Sequence, residues 1–305
     1  MYQASVIIPV YNEARELEKV LRALEKQTVG RQKFEIIVVD NGSDDHTQTL
    51  VREFSQVIYL LEDEFINSPY SCRNRGIENS KGSVIVLLDG TCIPEPDWLE
   101  NGLNFLTSRG ADIVSSNVMF DFRGKVTAGK LYDSNNLKIE RSIERRGAVM
   151  TASLFVRRKV FDRIGLFPEG VRSGADLRWT SRATKNGFTI EFCRNSIAKK
   201  KARTFLESVQ KQWRVGKAQP AIWQEQGIEK SSLKKFLKSL IPYHPGKVNS
   251  LAEDKGVNVR FHHKFKLYFV AYFIWIVMSV ANMYGVYQLK SDKILKKLKL
   301  TTYEL

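Results

Sequence analysis

"SVIVLLDGTCIPEPDWL", Ser83 to Leu99, begins as an unbroken apolar run and stops on a carboxylate, Asp89, followed by Gly90 and Thr91. A short, continuous apolar run bounded by polar residues reads as a strand buried on both faces, as in parallel sheets. "FEIIVVD" (Phe34–Asp40) repeats the pattern and also ends on an aspartate, and "SVIIPVY" (Ser5–Tyr11) and "VIYLLED" read as further strands. Helical stretches lie between them. "NEARELEKVLRALEKQ" sets Leu17, Val20, Leu21 and Leu24 at helical spacing, with Asn12 expected as its N-cap. "NGSDDHTQTLVREF" turns into a second helix, and "YSCRNRGIENS" reads as a third, closed at Lys81-Gly82. Strands alternating with helices predict βαβ units, a mainly parallel sheet, and ligands bound beyond the carboxyl ends of its strands. Asp40 and Asp89 stand at two such ends. Taken singly, each also fits an aspartate that caps the next helix.

Beyond Asp112 the pattern is mixed. "ADIVSSNVMF" and "FTIEFCRNS" read as strands, and "RRKVFDRIG" and "ADLRWTSRATKNG" as helices ended by glycine. The 305 residues, 43% of them hydrophobic, suffice for one large or two moderate domains. Cys72, Cys92 and Cys193 show no CxxC spacing, which argues against a disulfide framework or structural zinc and points to a reducing compartment. The chain enters "ASVIIPVY" without a basic leader or apolar h-region, so no cleavable signal peptide is expected.

Charge divides the chain. Residues 1–198 carry 27 Lys and Arg against 26 Asp and Glu, whereas residues 199–305 carry 21 against 7. A basic appendage of this kind suits an anionic membrane, an anionic substrate or nucleic acid. No nucleic-acid module is recognisable, and the basic stretches alternate with long apolar ones, so a nucleic-acid partner is not expected. "SSLKKFLKSLIP" (Ser231–Pro242) gathers Leu233, Phe236, Leu237, Leu240 and Ile241 on one face and lysines on the other. Such a helix lies on a membrane surface or docks on the domain with its lysines in water. The uncharged stretch Leu267–Leu289, with tyrosines near both ends, reaches the roughly 20 residues that a spanning helix needs. Lysines flank both sides and give no orientation. An interfacial or re-entrant segment is the preferred reading, followed by a single span and then a buried helix.

"SVIIPVYNEARELEKVLRAL", "FEIIVVDNGSDDHT", "SCRNRGIENSKGSVIVLLD", "CIPEPDWL", "TASLFVRRKVFDRIGLFPE", "SGADLRWTSRATKNGF" and "ARTFLESVQKQWRVGKA" together resemble a family 2 glycosyltransferase of the GT-A fold. The likeness covers roughly residues 4–218, in order. It implies an inverting, nucleotide-sugar-dependent enzyme. Pro9, Tyr11 and Glu13 match the base and ribose site, and Asp40 matches the aspartate that contacts the base, in a turn with Asn41, Gly42 and Ser43. Arg73, and with it Arg75, is placed to face the diphosphate, although Arg75 equally suits solvent. Asp176 matches the general base that takes the acceptor's proton; its plain alternative is an acid at a helix N-terminus. Trp179 would stack on a sugar or belong to the core. Trp213 and Arg214 match a segment that closes over the substrates. Their order is reversed from that of processive synthases, which favours transfer of a single sugar.

Two departures concern the metal. Asp89 matches the first residue of the family's Asp-x-Asp element, but Thr91 replaces the second aspartate. Where relatives of this type carry a histidine able to complete the metal site, "KKKAR" (Lys199–Arg203) puts Lys200. A lysine ammonium can neutralise a diphosphate as a point charge but sits badly beside a divalent cation. The expectation is therefore a transferase that requires no metal, with Lys200 as the catalytic cation, aided by Lys199, Lys201 or Arg203. Mg²⁺ or Mn²⁺ remains possible, with Asp89 as its ligand. "KKKAR" as a solvated or membrane-facing basic run is the plainer alternative.

The expected partners are a nucleotide sugar (a UDP-sugar by default), a glycan or lipid-linked glycan acceptor, and the cytoplasmic face of a membrane. A fold that binds these without catalysis is the competing reading. The expected organisation is a catalytic domain at 1–218, a basic amphipathic linker at 219–260 and a membrane-associated helix with a basic tail at 261–305. The oligomeric state is not legible.

Overall fold

The computed structural model describes residues 2–122, 126–134, 139–225, 231–242 and 261–301, without side chains at 225, 261–263 and 292–301. In chain order the strands are β1 (Ala4–Val10), β2 (Phe34–Asp40), β3 (Val57–Leu61), β4 (Val84–Leu88), β5 (Cys92–Pro94), β6 (Ile113–Asp121), β7 (Ser153–Arg157) and β8 (Ile190–Lys201). The helices are α1 (Ala14–Glu25), α2 (Thr47–Arg52), α3 (Pro69–Glu78), α4 (Trp98–Ser108), α5 (Ala128–Ser134), α6 (Ile139–Arg146), α7 (Arg158–Ile164), α8 (Ala175–Lys185), α9 (Phe205–Glu225), α10 (Ser232–Ser239) and α11 (Phe261–Thr301). Two compact units result: Met1–Asp121 with Leu137–Lys201, and Phe122–Asn136 with Ala202–Leu305.

In the first unit the described strands form one sheet in the order β3-β2-β1-β4-β7-β6-β8-β5. β3, β2, β1 and β4 are mutually parallel, β7 runs antiparallel to β4 and β6, and β5 runs antiparallel to β8. The fold is the α/β GT-A type with a mixed, mostly parallel sheet. β1, β2 and β4 are buried throughout, as their uninterrupted apolar sequences require. β3 is an edge strand and leaves Ile58 and Leu61 exposed. Leu17, Val20, Leu21 and Leu24 form the buried stripe of α1. α3 sits so close to the sheet that a Cβ on Gly76 would come within 2.4 Å of Ile7 Cγ2.

Asn12 does not cap α1. It adopts a left-handed φ of 52°, and Glu13 occupies the cap position with no side-chain cap bond. Asn12 instead ties two loops together: its N–H donates to Ser43 Oγ and its Oδ1 accepts from the Asp44 N–H, both at 2.9 Å. β5 and β7 were not expected as strands, and β8 runs on through the lysines of "KKKAR" to Lys201.

In the second unit, α9 runs straight through the expected boundary at residues 218 and 219. Its N-terminal region is joined to α5 by Asp133, which is buried and takes ion pairs from Arg203 at 3.5 Å and Lys211 at 3.3 Å. α11 is the long apolar helix. Lys264–Ser291 is long and apolar enough to cross a membrane by length and composition. Leu267, Ala271, Ile274 and Ala281 are buried on one side of α11, whereas Phe265, Phe269, Phe273 and Tyr284 are exposed. Most of the expected 219–260 linker and the side chains of the basic tail after Ser291 lie outside the described residues.

Candidate active site

The carboxyl ends of β1, β2 and β4 carry three loops. Pro9 is buried in β1, past the last β1–β4 pair (Ile7 with Leu87), where a missing N–H is tolerated. Tyr11 is exposed and able to wall a base. The Glu13 carboxylate reaches the turn after β4: a Cβ on Gly90 would stand 3.4 Å from Glu13 Oε2.

Asp40 ends β2 and Asn41 begins the turn after it. Both are buried. Asp40 accepts hydrogen bonds from Ser43 N (3.0 Å), Ser43 Oγ (2.6 Å) and Tyr59 OH (2.9 Å). Asn41 Nδ2 donates to the carbonyls of Glu62 (3.0 Å) and Phe65 (3.1 Å). These residues shape the loop that bounds the site; their polar groups are spent on the loop itself.

The turn after β4 holds the main feature. Asp89 Oδ1 accepts from Arg73 Nη2 at 2.9 Å, and Asp89 Oδ2 accepts from Lys200 Nζ at 2.9 Å. The cationic side chains are almost fully buried, while the Asp89 side chain keeps 28% exposure. α3 supplies Arg73, whose buried Nε has no hydrogen-bond partner. Strand pairing supplies Lys200: in the β5–β8 ladder Lys200 lies opposite Cys92, the residue after Thr91, and in the β6–β8 ladder it lies opposite Phe120. A charge distant in sequence is thereby fixed beside "DGT". Lys199 points elsewhere, to Glu95 at 2.6 Å. Arg75 is exposed on the far side of α3.

Asp176 begins α8 and is half-buried. Burial pushes its carboxyl above the usual aspartate range, against the Leu177 N–H, the nearby Arg73 charge and a hydrogen bond from Tyr70, all of which favour the ionised form. Tyr70 was missed in the sequence; it lies close enough to Asp176 to favour the ionised carboxylate, and Arg73 lies 5.2 Å over its ring. Its only sequence signal is its place one turn before Arg73. Asp176, Tyr70, Arg73, Asp89 and Lys200 thus form one connected network.

Trp179 is not a sugar platform. It is buried, stacks on Phe161 at 4.4 Å, and spends its indole N–H on the Gly165 carbonyl at 2.7 Å. Trp213 and Arg214 lie on α9 in the second unit, with Trp213 exposed and 5.9 Å from Tyr284.

A divalent cation at a diphosphate needs oxygen or nitrogen ligands that carry no positive charge of their own. Among the described residues no group of three or more His, Cys, Asp and Glu side chains is arranged to hold a metal. Both oxygens of Asp89 already face cations. These residues do not fit a metal centred on Asp89 in the arrangement seen.

A Rossmann-like half-sheet with a carboxylate turn at its carboxyl edge and an acid on a following helix suits a protein that binds a nucleotide beyond the strand ends. The pattern of glycosyl transferase family 2 matches residues 5–165. Over 259 residues the chain is 40% identical to glycosyltransferase AglE of Haloferax volcanii, a match covering 82% of this chain and 84% of that protein. The chain belongs to glycosyl transferase family 2 and is a nucleotide-sugar-dependent glycosyltransferase. Its fold is similar to that of the mannosyltransferase PcManGT from Pyrobaculum calidifontis, solved with GDP-Man and Mn²⁺, with a TM-score of 0.62 and 19% identity over 92% of this chain and 87% of that one. It is also similar to TarS 1-349 of S. aureus, solved with UDP-GlcNAc, with a TM-score of 0.56 and 17% identity over 93% and 91%.

Proposed function

We propose that this enzyme transfers a single sugar, with inversion, from a uridine nucleotide sugar to a glycan or lipid-linked glycan, without a metal at the leaving diphosphate. The observation that carries this reading is the ion triplet Arg73–Asp89–Lys200. Arg73 and Lys200 bring two cationic groups to the turn after β4, where the diphosphate would lie. Asp176 takes the proton of the acceptor hydroxyl as its oxygen attacks the anomeric carbon. The bond from that carbon to the diphosphate breaks, and the nucleoside diphosphate leaves with the electron pair. Lys200 and Arg73 neutralise the charge that develops on it, electrostatic work that is strongest in a partly dehydrated site. Tyr11, Pro9 and Glu13 bound the nucleoside, on the loop shaped by Asp40 and Asn41. Thr91 lines the diphosphate side.

Membrane attachment belongs to the same proposal. Leu233, Leu237 and Leu240 of α10 and Phe265, Phe269 and Phe273 of α11 are exposed apolar residues accompanied by lysines. α11 is bound to polar helices at its centre, where Asn282 Nδ2 donates to the Gly216 carbonyl at 2.7 Å and Lys235 Nζ donates to Asn282 Oδ1 at 2.6 Å. Crossing a bilayer would draw these charged neighbours into hydrocarbon. That supports an interfacial placement on the cytoplasmic face.

Sugar transfer measured in excess chelator tests the metal-free reading. The expected result is an unchanged rate; a strict requirement for added Mn²⁺ or Mg²⁺ overturns it.

A further inference from the structure

Within the second unit, the starts of α5 and α9 and the first turns of α11 line an open groove of about 790 Å³ that the proposed reaction does not use. Its walls include the rings of Phe205, Phe265 and Phe269, with Thr127, Lys130 and Lys266 among them. Among the described residues the lining contains no acidic side chain. Leu131 and Leu267 are buried together beneath this region, and Asp133 fixes α5 to α9 through Arg203 and Lys211. The walls therefore rest on packed, ion-paired elements.

We infer that this groove binds the lipid portion of the acceptor: a hydrocarbon chain against the phenylalanines, with a phosphate-type head at Lys130 and Lys266. The inference rests on the lipid-linked acceptor proposed above. Three observations favour this occupant. The volume lies within the ordinary range for ligand pockets, and the lining is mainly apolar with a few polar groups of one sign. A neutral glycan would call for carboxylate or amide acceptors, which this lining does not supply, whereas an anionic amphiphile matches both its charge and its rings. The apolar track also leaves the groove along one helix face: Phe265, Phe269 and Phe273 recur every fourth residue and are 61%, 51% and 48% exposed. Phe273 meets Phe205 with ring centroids 5.6 Å apart. A chain held at Phe205 is thus continuous with the proposed membrane-facing stripe. In sequence, Phe205 follows Lys200 by five residues.

The test uses the full chain and a dodecyl phosphate bearing a diazirine on its tail, kept below its micelle concentration, with labelled peptides mapped by mass spectrometry. The expected labels fall on Phe205 and on residues 265–270. Unlabelled dodecyl phosphate should compete at least about tenfold better than dodecyl maltoside, which has the same tail and a neutral head, and inorganic phosphate should not compete. Lys266→Glu should reduce labelling by about tenfold, and Phe269→Asp should abolish it, with thermal melting of both variants close to that of the parent. Labels spread over α10 and residues 284–287 and insensitive to both substitutions would reduce the groove to general membrane contact and overturn the inference. Equal competition by the neutral amphiphile would also overturn it. Uridine diphosphate binding, measured separately by calorimetry, reports the donor reading. Its failure alongside retained, competable labelling would strike that reading and leave the lipid site standing.

Discussion

Lys200 Nζ lies 2.9 Å from Asp89 Oδ2 across 111 residues of chain. The contact does not depend on a wandering side chain. β8 is held on both sides, by β6 and by β5, and the β5 register puts Lys200 opposite Cys92, three residues after Asp89. Hydrogen-bonded strands thereby place the Lys200 backbone where its side chain reaches Asp89. Asp89, which in the sequence resembles the first residue of the family's Asp-x-Asp element, accepts from two cationic side chains.

If Lys200 carries the leaving-group charge, Lys200→Gln should lower kcat by about 10²–10³-fold. The KM for donor should change far less, because the interaction strengthens as the diphosphate departs. Steady-state transfer of a labelled sugar at saturating acceptor reads both constants. The paired variant Thr91→Asp with Lys200→His should regain activity only when Mn²⁺ is supplied. A Lys200→Gln enzyme with an unaltered kcat would remove lysine from the mechanism.

Tyr70 contributes to the ionisation of the proposed base, after burial, the Leu177 N–H and the Arg73 charge. Burial raises the Asp176 carboxyl above the usual aspartate range, and the Tyr70 hydroxyl opposes that rise by donating to the carboxylate. A base must be ionised to accept a proton, so activity should climb as pH rises through the Asp176 value. Tyr70→Phe removes a donor to the charged form, which shifts the acid limb of the kcat profile to still higher pH while leaving the alkaline plateau within a few-fold of the parent. Asp176→Asn should abolish transfer at every pH. An acid limb unmoved in Tyr70→Phe would show that the hydroxyl has no hold on the base.

The parallel strands were legible because burial on both faces forces an uninterrupted apolar run, as in β1, β2 and β4. β5 was not legible: three residues ending on Pro94, with Pro96 just beyond, have no periodicity, and their strand character comes wholly from pairing with β8. The same pairing separates Lys200 from its neighbours. In the sequence Lys199, Lys200 and Lys201 look alike; strand alternation turns Lys200 inward to Asp89 and Lys199 outward to Glu95. Asn12 misled for a related reason: an Asn before a helix suits a cap, but a partner loop from β2 made a left-handed turn the better use of its side chain. Tyr70 carried only the weak signal of lying one turn before Arg73, since its role exists only once α8 has brought Asp176 to it.

Trp179 should behave as a core residue. Its ring packs with Phe161 and Phe167, at centroid distances of 4.4 and 5.0 Å. Trp179→Ala should cost about 3–5 kcal/mol, read by denaturant unfolding. Trp179→Phe should cost less, with transfer well below the melting temperature retaining the parent acceptor KM. A selective rise in acceptor KM at unchanged stability would restore the sugar-stacking role.

Asp133 gives the second unit a pH-sensitive tie. Burial alone would push its carboxyl up, but Lys211 and Arg203 together hold it below the ordinary aspartate value of 3.8. A folded value below the unfolded one stabilises the native state above the unfolded value, and this contribution fades as pH falls through the folded value. Asp133→Asn keeps the shape of the side chain but leaves the two cations facing an amide. At pH 7 it should lower stability by about 2 kcal/mol, the scale of a charge-assisted hydrogen bond. The gap between parent and variant should hold from pH 7 down to about 5 and close as the pH is taken below 3.8. Urea unfolding at several pH values, followed through the tryptophans of α9, measures both. A gap that stayed constant into the acid range would mean that Asp133 acts by packing alone, without its charge.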